Sequence, residues 1–243
     1  MTEKSLNIQP QIDAVKENYK IISERVAEAA IKSGRNPEDV RLMAVTKTVE
    51  PVFINAVLEE GASLIGENRV QEFLAKEPEL HLDGVEKHLI GHLQKNKVRQ
   101  IVGKVDMIES VDSVALAKEI AKRSTALGII TPVLVEVNIG GEASKFGISR
   151  TELEDMLAEI SELDGIRVDG LMTIPPICEK SEQIRQFFSQ MNQLFIDFTP
   201  KIFNNINMNI LSMGMSADYY EAILEGSTLV RVGSALFGPR IYR

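Results

Sequence analysis

Apolar and polar positions along the chain fall into two successive rhythms. Residues 11–33 carry Ile12, Val15, Tyr19, Ile22, Val26 and Ala29 on one stripe, the spacing of an amphipathic helix with a single buried face. Gly34 ends that helix, and a different pattern then sets in. Short runs rich in Val, Ile and Leu alternate with longer amphipathic segments. The runs are 40–47 (VRLMAVTK), 63–67 (SLIGE), 87–93 (KHLIGHL), 106–111 (DMIESV), 132–139 (PVLVEVNI), 166–174 (IRVDGLMTI), 208–213 (MNILSM) and 228–233 (TLVRVG). Between them, helices are expected at 51–60, 69–76, 95–102, 113–127, 151–163, 181–204 and 217–225. Some open on capping residues, such as Ser113 after Asp112 or Thr151 ahead of Glu154.

Strands alternating with helices in this way signal repeated βα units on a parallel sheet. Eight strands with a helix in each gap, at about 25–30 residues per unit, predict an α/β fold: a single (β/α)8 TIM-type barrel with an extra N-terminal helix. A doubly wound open sheet is the alternative, for which eight regular units would be many. No Pro/Gly/Ser-rich linker, repeat or low-complexity tract divides the chain, so residues 1–243 are expected to form one domain.

Composition narrows the function classes. A length of 243 residues suits one barrel and buries enough surface to need no disulfide or structural metal. The balance of 27 Lys+Arg against 35 Asp+Glu gives a net charge of −8, which argues against a nucleic-acid-binding surface. The single cysteine, Cys178, excludes an internal disulfide and a Cys-rich metal site. The start, MTEKSLNIQP, has no apolar core of a signal peptide. The best apolar run, GIITPVLV, contains a proline and is far short of a membrane span. The expectation is a soluble cytoplasmic protein.

Active sites of such barrels form at the C-terminal ends of the strands. That rule singles out Lys47, Glu67, Asn68, His92, Asp112, Asn138, Thr173, Ser212 and Arg231. The loops after the last two strands read SMGMSAD and RVGSALFG. Their small residues let backbone N–H groups approach an anion, and this end of a barrel commonly holds phosphate. Lys47 closes an apolar strand. Partial desolvation there favours the neutral amine that attacks an aldehyde to give a Schiff base, although a lysine can also simply snorkel into solvent from such a position. An aldehyde and a phosphate on one ligand describe pyridoxal 5′-phosphate (PLP). Arg231 lies within the last strand, where it needs a partner. It could face a cofactor ring nitrogen and keep it unprotonated, or pair with Glu136 or Glu67.

Other motifs lead nowhere. His88 and His92 are four apart in a strand pattern, roughly 13 Å, too far to share one ion. GMSAD lacks the final glycine of a nucleophile elbow and has no well-placed His partner. P-loop and Rossmann fingerprints are absent. Lys95, Lys97 and Arg99 make a small basic cluster of the kind that usually faces solvent. The loop NIGGEASKFG at 138–147 reads equally as a lid or as a turn.

AVTKTV around Lys47, GENRVQE at 66–72, HLIGHLQKNK at 88–97, VNIGGEASKFG at 137–147, GLMTIPP at 170–176, LSMGMSADYYEAI at 211–223 and RVGSALFG at 231–238 together resemble the YggS/PROSC family of PLP-binding, PLP-homeostasis proteins. The resemblance runs in order through nearly the whole chain. It implies a barrel similar to the N-terminal domain of alanine racemase, with PLP as cofactor. It further implies a Schiff base on Lys47, Arg231 near the pyridine nitrogen, Asn68 beside the cofactor, and phosphate contacts from Ser212–Met213 and Gly233–Ser234. Apo PLP-dependent enzymes are the partners it brings to mind. Alanine racemase has a second domain that supplies a tyrosine base, whereas this chain stops about ten residues after the last expected strand. Racemisation needs acid and base on opposite faces of the substrate carbanion, and nothing in the sequence sets Tyr219 or Tyr220 opposite Lys47. A monomeric, essentially non-catalytic PLP-binding protein is therefore the first expectation, and a small racemase-like PLP enzyme the second.

Overall fold

In the computed structural model, which describes residues 3–142, 145–178, 180–201 and 204–238, eight parallel strands close into a barrel in chain order, each paired with its sequence neighbours and β8 with β1. The strands are β1 (Arg41–Val45), β2 (Leu64–Glu67), β3 (Glu86–Leu89), β4 (Met107–Val111), β5 (Thr131–Glu136), β6 (Ile166–Met172), β7 (Ile206–Met215) and β8 (Leu229–Val232). The helices are α1 (Glu3–Lys32), α2 (Pro51–Glu59), α3 (Val70–Lys76), α4 (Val98–Ile101), α5 (Val114–Ala126), α6 (Leu153–Ser161), α7 (Ser181–Phe198), α8 (Tyr219–Leu224) and α9 (Ser234–Phe237).

Alternation along each strand divides the side chains between two apolar regions. Outward residues such as Ile108, Val133, Val168 and Leu211 meet Ile120, Leu157 and Phe188 of the surrounding helices. A second outer cluster joins Ala44, Ile65, Val230 and Val232 to Val15, Ile22, Val26 and Ala29 of α1, so that helix covers the β8–β1–β2 seam. Inward residues fill the barrel: Met43, Leu64 and Leu229 on one side, Met107, Leu134 and Met172 on the other. Burying each such side chain stabilises the fold by roughly 1.5–3 kcal/mol before entropy is charged against it.

The ladder slips in register between β4 and β5, β5 and β6, β6 and β7, and β7 and β8. At the β6–β7 slip Gly170 has φ +150°, and a Cβ there would run into the Ile210 carbonyl. Only glycine admits so close an approach in that conformation.

The predicted element order holds, while several boundaries move. The first helix begins at Glu3 rather than 11 and passes through Pro10. β1 stops at Val45 and β3 at Leu89, so Lys47 and His92 lie in loops rather than strands. The expected helix at 95–102 is a 3-10 turn, Lys95–Lys97, followed by the single turn of α4. α6 starts at Leu153 with no side-chain cap, whereas Ser113 caps α5 by accepting from the Leu116 N–H. α7 ends at Phe198, short of 204. α9 was not anticipated at all. Of the PRIYR tail, all five residues from Pro239 to Arg243 lie outside the described residues.

Candidate functional site

Lys47 sits, half-buried, two residues past the end of β1 at the C-terminal mouth of the barrel. Thr48, next to it, has φ 61°, a left-handed conformation that a β-branched residue adopts only where its surroundings impose it. The surroundings come from β2 and α3. The Lys76 ammonium donates to the Thr46 carbonyl (2.8 Å), to Glu67 (3.2 Å) and to Glu72 (2.5 Å). Glu72 in turn accepts from the Thr48 N–H at 2.5 Å. Glu67 accepts from the Thr46 hydroxyl (3.1 Å) and the Asn68 N–H (2.8 Å). Burial pushes the Glu67 carboxyl up, and the Lys76 charge pulls against that. Glu67, expected among the residues facing the site, thus points outward to α3 and braces the turn that carries Lys47.

Arg231 points inward and is 4% exposed. Its guanidinium donates to the Ser212 hydroxyl at 2.6 Å and to the Thr173 carbonyl at 2.8 Å. The Ser212 hydroxyl donates onward to Glu109 at 2.7 Å. Glu109 is the acidic residue that lies nearest, with Nη1 to Oε2 at 4.0 Å. Neither Glu67 nor Glu136, the partners considered from sequence, makes that contact. Glu109 was missed, although an acid at an inward position of the apolar run DMIESV was the available signal.

Around the rim, Gly233 packs against Val45 across the β1–β8 pair, which sets the loop before α9 beside the Lys47 turn. The backbone N–H groups of Gly233 and Ala235 both donate to the Ser216 hydroxyl, at 3.1 and 3.2 Å. The residues expected to contact phosphate are not brought together as one segment. Ser212 is fully buried beneath Arg231, and Met213 turns outward into the helix-facing core. Ser216, just past the end of β7, is the one whose hydroxyl meets the N–H groups of Gly233 and Ala235. Ser216 belongs to the GMSAD segment, which lacks the final glycine of a nucleophile elbow.

The other rim residues complete the mouth. The Asn68 Oδ1 is buried with no hydrogen-bond partner among the described residues. Gly91 lets the backbone after β3 press against the Asn68 carbonyl, a place a Cβ would occupy. His92 bonds Asp112 at 3.1 Å and stacks on Phe146, with ring centroids 3.9 Å apart. The 138–147 loop therefore leans toward the β3 side, and Asn138 braces it by donating to the Glu142 carbonyl at 2.8 Å; its Ala143 and Ser144 lie outside the described residues. Glu136, at the inward-facing end of β5, has its carboxyl pushed up to about 7 by burial and by Asp112, with Arg231 opposing. Thr173 donates to the Val137 carbonyl at 2.7 Å. His88, read with His92 as one strand pair, lies instead deep in the barrel, 2.6 Å from Glu109 and 2.7 Å from Glu86.

The family model described as alanine racemase, N-terminal domain, matches residues 11–240. A pyridoxal phosphate homeostasis protein of Aquifex aeolicus is 42% identical over 221 residues, covering 91% of this chain and 96% of that protein. Among solved structures, PipY of Synechococcus elongatus with PLP bound superposes with a TM-score of 0.77 at 34% identity, covering 89% of this chain and 100% of that one. Alanine racemase from Corynebacterium glutamicum shares the fold, with a TM-score of 0.70 at 15% identity over 95% of this chain and 62% of its own.

Proposed function

Because this chain belongs to the alanine racemase N-terminal domain family and, within it, to the pyridoxal phosphate homeostasis proteins, we propose that it binds PLP at the barrel mouth and serves PLP homeostasis, with little or no amino-acid chemistry of its own. The observation that carries the reading is the convergence at the β1–β8 seam of a braced lysine, a buried arginine and a small-residue anion cradle. Bound PLP supplies an electrophilic aldehyde on a phosphorylated pyridine ring.

Each residue then has a task. Lys47 offers its amine for a Schiff base, and its turn is held by Lys76, Glu67 and Glu72. Arg231 turns its charge toward the ring nitrogen and disfavours a proton there. Ser212 is assigned a place below the ring, carrying the guanidinium rather than the phosphate. The phosphate is assigned to Gly233, Ser234 and Ser216: an anionic oxygen is a better acceptor than a hydroxyl for the Gly233 and Ala235 N–H groups that Ser216 now satisfies. Met213 contributes through its backbone alone. Asn68, whose buried amide oxygen beside the mouth has no partner among the described residues, is the polar group best suited to a ring substituent.

Weak or absent catalysis is favoured by where the tyrosines near the mouth go. Tyr219 is buried against α1, and the Tyr220 hydroxyl bonds Glu28 of α1 at 3.1 Å. Both lie on the α1 side of the barrel wall, away from its interior, which disfavours either as a second acid or base opposite Lys47. We place the protein in the cytoplasm as a monomer that exchanges PLP with apo PLP-dependent enzymes. Among the described residues no helix is long and apolar enough to cross a membrane.

The test is PLP titration of the purified protein, combined with solvent-deuterium exchange across a panel of amino acids. The proposal expects saturable PLP binding and no appreciable exchange. Turnover of roughly one per second or more on any amino acid, the range of ordinary enzymes, would make the protein a small racemase-like enzyme instead.

A further inference from the structure

Below the mouth, a file of charged side chains crosses the barrel interior. Arg41, at the N-terminal end of β1, pairs with Glu86 at 2.5 Å. Glu86 meets His88 Nε2 at 2.7 Å, and His88 Nδ1 meets Glu109 at 2.6 Å. Glu109 reaches Arg231 through the Ser212 hydroxyl. The His88 and Glu109 side chains are 0% exposed and that of Arg231 is 3%. Nothing in the cofactor reading yet uses Glu86, His88 or Glu109.

The geometry fixes the charges. An ionised carboxylate only accepts hydrogen bonds, so an imidazole with a carboxylate at each nitrogen must donate from both, as an imidazolium. Burial alone would lower the His88 affinity for its proton, but the bonds to Glu109 and Glu86 raise it overall. Glu109 moves down in response, against its own burial, and Glu86 is held at about 2, chiefly by His88. Glu109 is thus one negative charge set between two positive ones, closer to His88 than to Arg231. Glu136 from β5 and Asp218 after β7 are the other acids that face Arg231.

We infer that His88 is a positioning residue for Arg231: clasped between Glu86 and Glu109, its imidazolium takes up much of the Glu109 charge and leaves the guanidinium only partly balanced beneath the mouth. With a neutral residue at 88, Glu109 would give its whole charge to Arg231, and the guanidinium would lose its hold on the protonation state of a ligand above it. The consequence for the ligand rests on the PLP reading, whereas the charge on His88 does not.

Two measurements separate the parts. Side-chain nitrogen NMR of the cofactor-free protein should show one of the three histidines, assigned by substitution, doubly protonated at pH 7, above the ordinary imidazole value of 6.5. A neutral His88 at that pH overturns the inference, whether or not PLP binds. In PLP-loaded protein, His88→Gln removes a positive charge, so the pH midpoint of the bound-PLP absorption change should rise by about one unit. Glu109→Gln removes a negative charge while Glu86 still holds the imidazolium, and should move that midpoint down. Midpoints that stay put, or move the same way in both variants, reduce His88 to a packing role and overturn the inference. Failure of the wild-type protein to bind PLP would instead count against the cofactor reading. Should either variant not fold, the NMR measurement on the wild type still decides.

Discussion

Glu136 ends β5 where water is scarce and a second acid, Asp112, lies close, and that placement has a measurable consequence. Its folded-state pKa stands at about 7, above the ordinary 4.5. A raised value means that the folded protein holds the proton more tightly than the unfolded chain. The contribution is therefore fully present below pH 4.5 and is lost as pH rises through 7. Glu136→Gln, which stays neutral, should match the wild type near pH 4. At pH 8 it should be more stable by about 3 kcal/mol, or about 6–12 °C in Tm. Melting of the cofactor-free proteins across this range checks it, and a difference independent of pH would contradict it. At this scale the sequence was only partly legible. Lys47 and Arg231 stood out because a charge in an apolar run demands a reason. Glu109 and Glu136 occupied similar runs, but their meaning depended on which residues faced them across the barrel. Ser212 and Ser216 could not be told apart until the depth of each along β7 and its loop was known.

The elements β2 and α3 act as a brace for the turn after β1. The Lys76 side chain is 13% exposed and that of Glu67 2%, so removing the lysine leaves a buried carboxylate without its counter-charge. Lys76→Met should cost about 3 kcal/mol, and adding Glu67→Gln should recover more than half of that. Denaturant unfolding of the two single variants and the double variant measures the coupling. Additive costs would mean that the pair does not act as a unit. The sequence placed both elements correctly but said nothing of this brace, because Glu67 at a strand end could have faced either way. Boundaries were the weaker part for a related reason. β3 pairs residue for residue with β2 only over Glu86–Leu89, with one further bond beyond Leu89 from the Ile90 N–H to the Glu67 carbonyl, and so stops before the apolar run does. α9 went unseen because four residues give no periodicity to read.

Over the whole molecule, the βα rhythm carried the architecture. Eight apolar runs with intervening amphipathic segments leave few topologies that bury both faces of every strand, and the closed barrel satisfies them in chain order. The added helix α1 is part of that shell, since Val15, Ile22 and Val26 close the cluster over β8, β1 and β2. Ile22→Ala should lower unfolding free energy by about 2–4 kcal/mol while leaving PLP binding intact at a temperature where the variant is folded. Loss of binding in the folded variant would tie α1 to the site directly. The account as a whole turns on Lys47. Its most direct test is the absorption spectrum of the protein with PLP, compared with Lys47→Ala and followed by borohydride reduction. The account predicts a band at the edge of the visible that reduction traps covalently and that the substitution abolishes. The spectrum of free PLP from both proteins would contradict it, leaving the barrel in place and its mouth without the assigned ligand.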